Sequence, residues 1–344
     1  MNPVIKYHRM NNPWLINKED FEDYRHNNHE LTIQFTSNPG SIVLKELNEL
    51  VKEYGNNICV RFYGYYGKMF DCEILYDLPD VKNLKIDCME ECENFHALYK
   101  LENLEKLGIG VDRLSVTDWL EKIKYDNLIE LTVGESSCKV DLSELKKYLK
   151  LRDLHIVKSC KNLESIAVNK SIQCLRLSSI PKVCDLNFIN QMMQLSELSI
   201  ILGGREHLQF IEGLNLKVLE IIRVRGLSTV VEIGSLKELE SLRIEDQIRI
   251  DEINLGDQLT KLKELAIVNC KGLHKINGFA NLHQLNSVII YDTKVDFENF
   301  VKNGCPQGLD HFGFYTTKKR IDRIILDKIR NMGFENRVAV RNGE

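Results

Sequence analysis

Leu239-Glu240-Ser241-Leu242-Arg243-Ile244 returns one interval later as Leu262-Lys263-Glu264-Leu265-Ala266-Ile267. The shared pattern, Leu-x-x-Leu-x-Ile, also begins at Leu151, Leu195 and Leu216. Its middle leucine-type position recurs at Leu84, Leu107, Leu131, Leu154, Leu175, Leu198, Leu219, Leu242, Leu265, Val288 and Phe312, at a near-constant interval. A sustained period of roughly 20–25 residues marks an array of stacked units rather than one globular core. Val60 and Phe62 stand one further interval ahead of Leu84 and Ile86, and Leu31, Ile33 and Phe35 form another alternating strand. The reading is of about twelve repeats after an irregular first strand.

Each copy is a short strand. Side chains alternate across a strand with period two, so the leucine and isoleucine share one face and the residues between them the other. A single repeat cannot bury its apolar face alone. Stacking neighbours does so, at roughly 1.5–3 kcal/mol for each fully buried Leu or Ile.

The segments between strands vary. Asp141 with Glu144 ahead of Leu145 and Leu149, and Thr117 ahead of Trp119, Leu120 and Ile123, predict short helices. Gly272 to Leu282 leaves room only for a tight turn or a little 3-10 helix. Ser41 to Gly55 predicts a helix with Ser41 as N-cap, leucines at 44, 47 and 50, and a glycine stop. Arg320 to Met332 predicts another, with Ile321, Ile324, Ile325 and Ile329 on one face and Gly333 ending it. Both are expected to cap the array. The division is then an N-terminal segment, 1–28, in which Phe21 and Tyr24 suit a docked short helix; a strand and helix cap, 29–55; the repeats, 56–316; and a helical cap, 317–344.

The pattern resembles the leucine-rich-repeat superfamily over about residues 56 to 316, and Leu265 to Leu282 looks most like bacterial internalin-type repeats. The resemblance implies an α/β fold: a solenoid with a curved parallel sheet on its concave side and short helices, 3-10 turns and loops on its convex side. It also implies protein binding as the shared activity. The chain departs from the family five residues after the middle leucine, where the turn-bonding Asn or Cys is kept only at Cys270. Ser136, Ser159, Asp112 and Thr293 offer small polar substitutes, whereas Ile180, Gly203 and Val224 have no acceptor, so those three turns are expected to be less regular.

Composition narrows the function classes. The 344 residues carry 46 basic and 50 acidic side chains, a net charge of −4. That balance does not favour nucleic acid or an anionic membrane as partner. No secretory leader stands in the first thirty residues, and no run approaches the roughly 18 apolar residues of a membrane span. The expectation is a cytoplasmic chain, monomeric when free, with signal-less export open. Ten cysteines in that setting read as reduced thiols.

Chemistry-bearing motifs are sparse. Repeats and caps leave no stretch for a separate catalytic domain, so the expectation is of no enzyme and no cofactor. Cys88, Cys92 and His96 would align at i, i+4, i+8 if helical, but a fourth ligand is not evident and packing is favoured over metal. Lys318-Lys319-Arg320 with Arg323 reads as a solvated cap face, and Asn169-Lys170-Ser171 matches a glycosylation acceptor that has no role without secretion.

Function is expected on the outward side of the strands. The position three after each middle leucine gives Tyr63, Asp87, Gly110, Gly134, Val157, Ser178, Ile201, Ile222, Glu245, Val268, Tyr291 and Tyr315. Its second half is mostly apolar, as interaction sites are. The neighbouring column adds Arg176, Glu220, Arg243 and Ile289. The candidate partner-binding residues are therefore Tyr63, Val157, Arg176, Ile201, Ile222, Arg243, Glu245, Val268, Tyr291 and Tyr315. The reading is a non-enzymatic solenoid gripping another protein, in its sharper form an inhibitor or immunity-type protein. The alternative is a secreted or injected bacterial effector acting on a host protein.

Overall fold

The computed structural model describes residues 5–22, 30–158 and 160–334. Tyr24 and Ser159 lie outside them. By its contacts the chain divides into two compact units, Met1–Ile172 and Gln173–Glu344.

In the N-terminal unit, β1 (Arg9–Asn11), β2 (Leu31–Phe35), β3 (Ile58–Tyr63), β4 (Asn83–Met89), β5 (Lys106–Val111), β6 (Glu130–Val133) and β7 (Asp153–Val157) pair in parallel in chain order. Strand β1 was not anticipated: three residues place Met10 opposite Ile33, fully buried. Phe21 is buried as well, in a 3-10 turn over Lys18–Phe21.

In the C-terminal unit, β8 (Cys174–Ser178), β9 (Glu197–Ile201), β10 (Val218–Ile222), β11 (Ser241–Glu245), β12 (Glu264–Val268), β13 (Ser287–Tyr291) and β14 (His311–Tyr315) do the same. Register puts like on like: Leu198 faces Leu219, Leu219 faces Leu242, and Leu242 faces Leu265. All four are buried, as the repeat predicts.

Register is set by the same device in both units. At the entries of β5–β7 and β9–β14 one carbonyl accepts two successive amides from the next repeat. Glu105 O takes the amides of Ile129 and Glu130 at 2.8 and 3.1 Å, and Glu240 O those of Lys263 and Glu264 at 2.8 and 3.0 Å. A slip of one residue would turn every leucine to water, so hydrogen bonds and burial specify the same pairing.

The return segments depart from helix. Trp119–Lys122 is helical, but Ser143–Lys147 is 3-10, with Asp141 Oδ1 accepting from the Ser143 amide at 2.9 Å. Leu145 is buried while Leu149 is 79% exposed, because a 3-10 turn does not bring i+4 back to the same face. Most other returns are likewise 3-10.

The expected end helices are present with shifted details. Helix α1 (Ser41–Tyr54) buries Leu44, Leu47 and Leu50, but its N-cap is Gly40 and Ser41 lies inside it. In the C-terminal helix, Lys319–Asn331, Ile325 and Ile329 are buried whereas Ile321 and Ile324 are 41% and 51% exposed, since only one narrow stripe meets the last strand. That end of the core is filled by phenylalanines: Phe279 stacks on Phe300 at 4.2 Å between centroids, Phe297 meets Phe314 edge-on at 5.3 Å, and Phe334 meets Phe312 at 5.8 Å.

Candidate functional site

In the C-terminal unit the register aligns Ser178, Ile201, Ile222, Glu245, Val268, Tyr291 and Tyr315 across successive strands. A second row runs beside it: Arg176, Ser199, Glu220, Arg243, Ala266, Ile289 and Gly313. Ile201, Ile222, Val268 and Tyr315 are half-buried, and Tyr291 is 42% exposed. The apolar track is broken by Glu245, whose carboxylate accepts from the Arg243 guanidinium at 2.8 Å on the same strand. The two charges compensate one another and so present a local dipole. Ser199 donates to Glu220 at 2.7 Å, and Arg176 is exposed.

A third row was missed. In the C-terminal unit Ser179, Leu202, Arg223, Asp246, Asn269 and Asp292, each the first residue after its strand, all have positive φ, between 51° and 60°; Lys158 of the N-terminal unit, at 64°, does the same after β7. This left-handed step turns the chain out of the sheet, so the period-two alternation stops there. In the C-terminal unit the step is held in place: Leu202 N–H donates to Ile222 O at 2.8 Å, and Arg223 N–H to Glu245 O at 2.9 Å. Asp246 accepts from Arg223 Nε at 2.9 Å and from the Asn269 amide. Burial works to raise the Asp246 carboxyl, but Arg223 and Asn269 outweigh it and hold it below the usual range. The only sequence signal was the Asn and Asp at those positions, the residue types that tolerate this conformation.

The next position corrects an expectation. Turns at Ile180 and Val224 keep the same single left-handed step as those at Cys270 and Thr293, whereas at Gly203 the residue after the step is itself left-handed, with φ 73°, so that turn is less regular as expected. Ile180 and Val224 are buried, so apolar packing replaces the missing side-chain bond. At Gly203 a Cβ would stand 2.5 Å from Ile180 O, which leaves room only for glycine.

No protein-family model matches the chain, and no curated protein matches its sequence. Solved structures do. A leucine-rich-repeat protein of Leptospira interrogans superposes with a TM-score of 0.53 at 21% identity, over 73% of this chain and 65% of that one. The mouse RP105/MD-1 complex gives 0.52 at 14% identity, over 83% of this chain and 51% of the matched chain. An internalin, InlF, of Listeria monocytogenes gives 0.46 at 19% identity, over 76% and 79%. The fold is that of the leucine-rich-repeat proteins.

In the leucine-rich repeats of the N-terminal unit the outward face is polar. Arg61 grips Asp87 through Nε at 3.0 Å and NH2 at 2.8 Å, donates to Gln34 Oε1 at 3.0 Å, and lies 4.6 Å from the centre of the Tyr63 ring. Tyr63 is thus part of a charged network and not of an apolar track. Gly134 approaches Gly110 so closely that a Cβ would come within 2.6 Å of its Cα. Val157 is half-buried at the end of β7.

Cys88, Cys92 and His96 do not share a helix, so the conditional row of ligands does not form. Cys88 is in β4, Cys92 in a two-residue strand, and His96 is exposed on a 3-10 turn, because this repeat commits its backbone to neighbouring strands. The Cys88 side chain lies outside those described. Among the described residues no group of three or more His, Cys, Asp or Glu is arranged to hold a metal ion. No helix among them is long and apolar enough to cross a membrane. Asn169 of the glycosylation-like triplet is buried, its amide donating to Leu145 O at 2.7 Å and Tyr148 O at 3.0 Å.

Proposed function

We propose that the protein binds another protein through the outward face of its C-terminal leucine-rich repeats. The observation that supports this most is the alignment of Ile201, Ile222, Val268, Tyr291 and Tyr315 in one row, incompletely covered and interrupted by Glu245, which Arg243 beside the row pairs. Large aromatic and Arg side chains beside apolar neighbours are the usual composition of binding hot spots.

Size decides how much of the face is used. Seven strands about 4.8 Å apart and five residues long span roughly 29 by 17 Å, about 500 Å². A stable interface takes about 800 Å² from each partner. The left-handed row, with Leu202 and Arg223, adjoins this face and enlarges the surface open to a partner.

RP105 is seen in complex with MD-1, and the same general kind of task, without catalysis, suits this chain. Its sharper form is an inhibitor or immunity-type protein that occludes its partner inside the producing cell. An exported effector would find its partner outside that cell.

The test is capture of the partner from the native host by the wild-type chain and by the triple variant Ile222→Ser, Tyr291→Ser, Tyr315→Ser. The variant is expected to keep the wild-type circular dichroism and to lose the partner. Undiminished capture by a folded variant removes this face from the binding site.

A further inference from the structure

Positive charge gathers at the start of the C-terminal helix. Lys318, Lys319, Arg320 and Arg323 are all exposed, and among the described residues no carboxylate pairs with any of them. The repeats treat their cations differently: Lys261, Lys263 and Lys275 each pair with a glutamate one repeat earlier, Glu238, Glu240 and Glu252. The helix's own acids are already engaged. Asp322 Oδ1 accepts from Thr316 N–H at 2.6 Å and from its hydroxyl at 2.7 Å, which fixes the first turn to the end of β14, and Asp327 pairs with Arg330 at 3.5 Å. The near-balanced charge of the whole chain conceals this cluster, because in about 0.1 M salt a charge is felt over only about 10 Å.

An apolar stripe lies beside the cations. Residues three and four apart are neighbours on a helix, so Ile321, Ile324 and Lys328 form one line next to the buried Ile325 and Ile329. Ile321 and Ile324 stay exposed there, Lys328 is drawn aside to Glu298, and Met332 is exposed at the helix's end. Arg320 and Arg323 run along the far side of that line. A helix with an apolar stripe and a flanking row of Arg and Lys matches the two layers of an anionic lipid surface, headgroup and acyl boundary. A nucleic acid would take the cations and leave the isoleucines in water.

We propose that this helix docks the protein reversibly on an anionic phospholipid surface. It lies in the headgroup plane, with Lys318, Lys319, Arg320 and Arg323 against lipid phosphates and Ile321 and Ile324 in the acyl boundary. Its 13 residues make a helix about 20 Å long, and Ile325 and Ile329 stay packed in the core, so the contact is peripheral. It uses no residue of the partner-binding row and does not depend on that reading.

Co-sedimentation of the full chain with vesicles tests this. In about 0.1 M salt the chain is expected to pellet with phosphatidylcholine vesicles that hold about 30% phosphatidylglycerol, and to stay in the supernatant with phosphatidylcholine alone. Each cation held near such a surface raises partitioning about fivefold, so Arg320→Gln with Arg323→Gln should weaken binding roughly 25-fold. Ile321→Ser with Ile324→Ser leaves the charge unchanged and should weaken it roughly tenfold. All four side chains are exposed, so both variants should keep the wild-type circular dichroism. For the wild-type chain by itself, binding should fall as salt rises toward about 0.5 M. The proposal is overturned if the wild-type chain does not pellet with the anionic vesicles, or if neither folded variant changes its binding. It is also overturned if only the arginine variant weakens it, which is the signature of a contact with any polyanion.

Discussion

Tyr291 and Tyr315 are register partners on adjacent strands, with ring centroids 6.3 Å apart and planes inclined at 53°. They sit on the outward side of residues that could hardly be more buried: Val288 and Ile290 in one strand, Phe312 and Phe314 in the next. The same backbone presents two surfaces with separable roles.

Substitution should separate them. Tyr291→Ala removes a ring that is 42% exposed and is expected to change folding stability by about 1 kcal/mol or less. Phe312→Ala empties a fully buried site and is expected to cost about 3–5 kcal/mol. Urea denaturation of the two variants measures both; equal losses would make Tyr291 a core residue.

Asn169 is a second test. Its amide serves the carbonyls of Leu145 and Tyr148, and its Oδ1 accepts from Ser171 N at 2.8 Å, joining two returns of the N-terminal unit. Asn169→Ala strands these groups away from water and should cost about 2–3 kcal/mol. If the denaturation midpoint is unchanged, the buried amide is not a structural strut.

Acid should reveal Asp141. Its carboxylate accepts from the Ser143 amide and hydroxyl, which with Asn162 hold it below the usual carboxyl range despite some burial. A depressed folded-state pKa gives stability that is fully present above the unfolded value, about 3.9, and is lost as pH falls through the folded value. The stability gap between wild type and Asp141→Asn should be constant above about pH 6 and narrow below about pH 4. A gap independent of pH across that window contradicts the assignment.

Thiol reactivity should vary along the chain. Burial pushes the Cys59 thiol up to about 12 and that of Cys270 up to about 11. Few thiolates exist at either site near pH 8, roughly one in 10,000 at Cys59. Iodoacetamide should label Cys92 in the native protein and reach Cys59 and Cys270 only after urea is added. Native labelling of all three at one rate would show the repeats opening faster than the reagent reacts.

The strand positions were legible because every repeat asks the same thing of its leucines and isoleucine, so one environment is written many times over. Leu242 and Leu265 could be placed without coordinates. The returns were not, since Asp141 and Glu144 suit an α-helix or a 3-10 turn equally and the neighbouring repeat decides between them. The outward row was readable as far as alternation persists, up to Tyr291, and unreadable one residue later, where Asp292 is left-handed.

By itself, the sequence determined the repeat, its register and which face is core, because a near-constant short period with apolar alternation has one way to hide its leucines from water. Only the tertiary structure decided which outward groups are already engaged. Arg61 meets Asp87 across the distance of one repeat, while Arg243 turns to Glu245 on its own strand. Such pairings depend on the side-chain directions of adjacent strands, which no periodicity records.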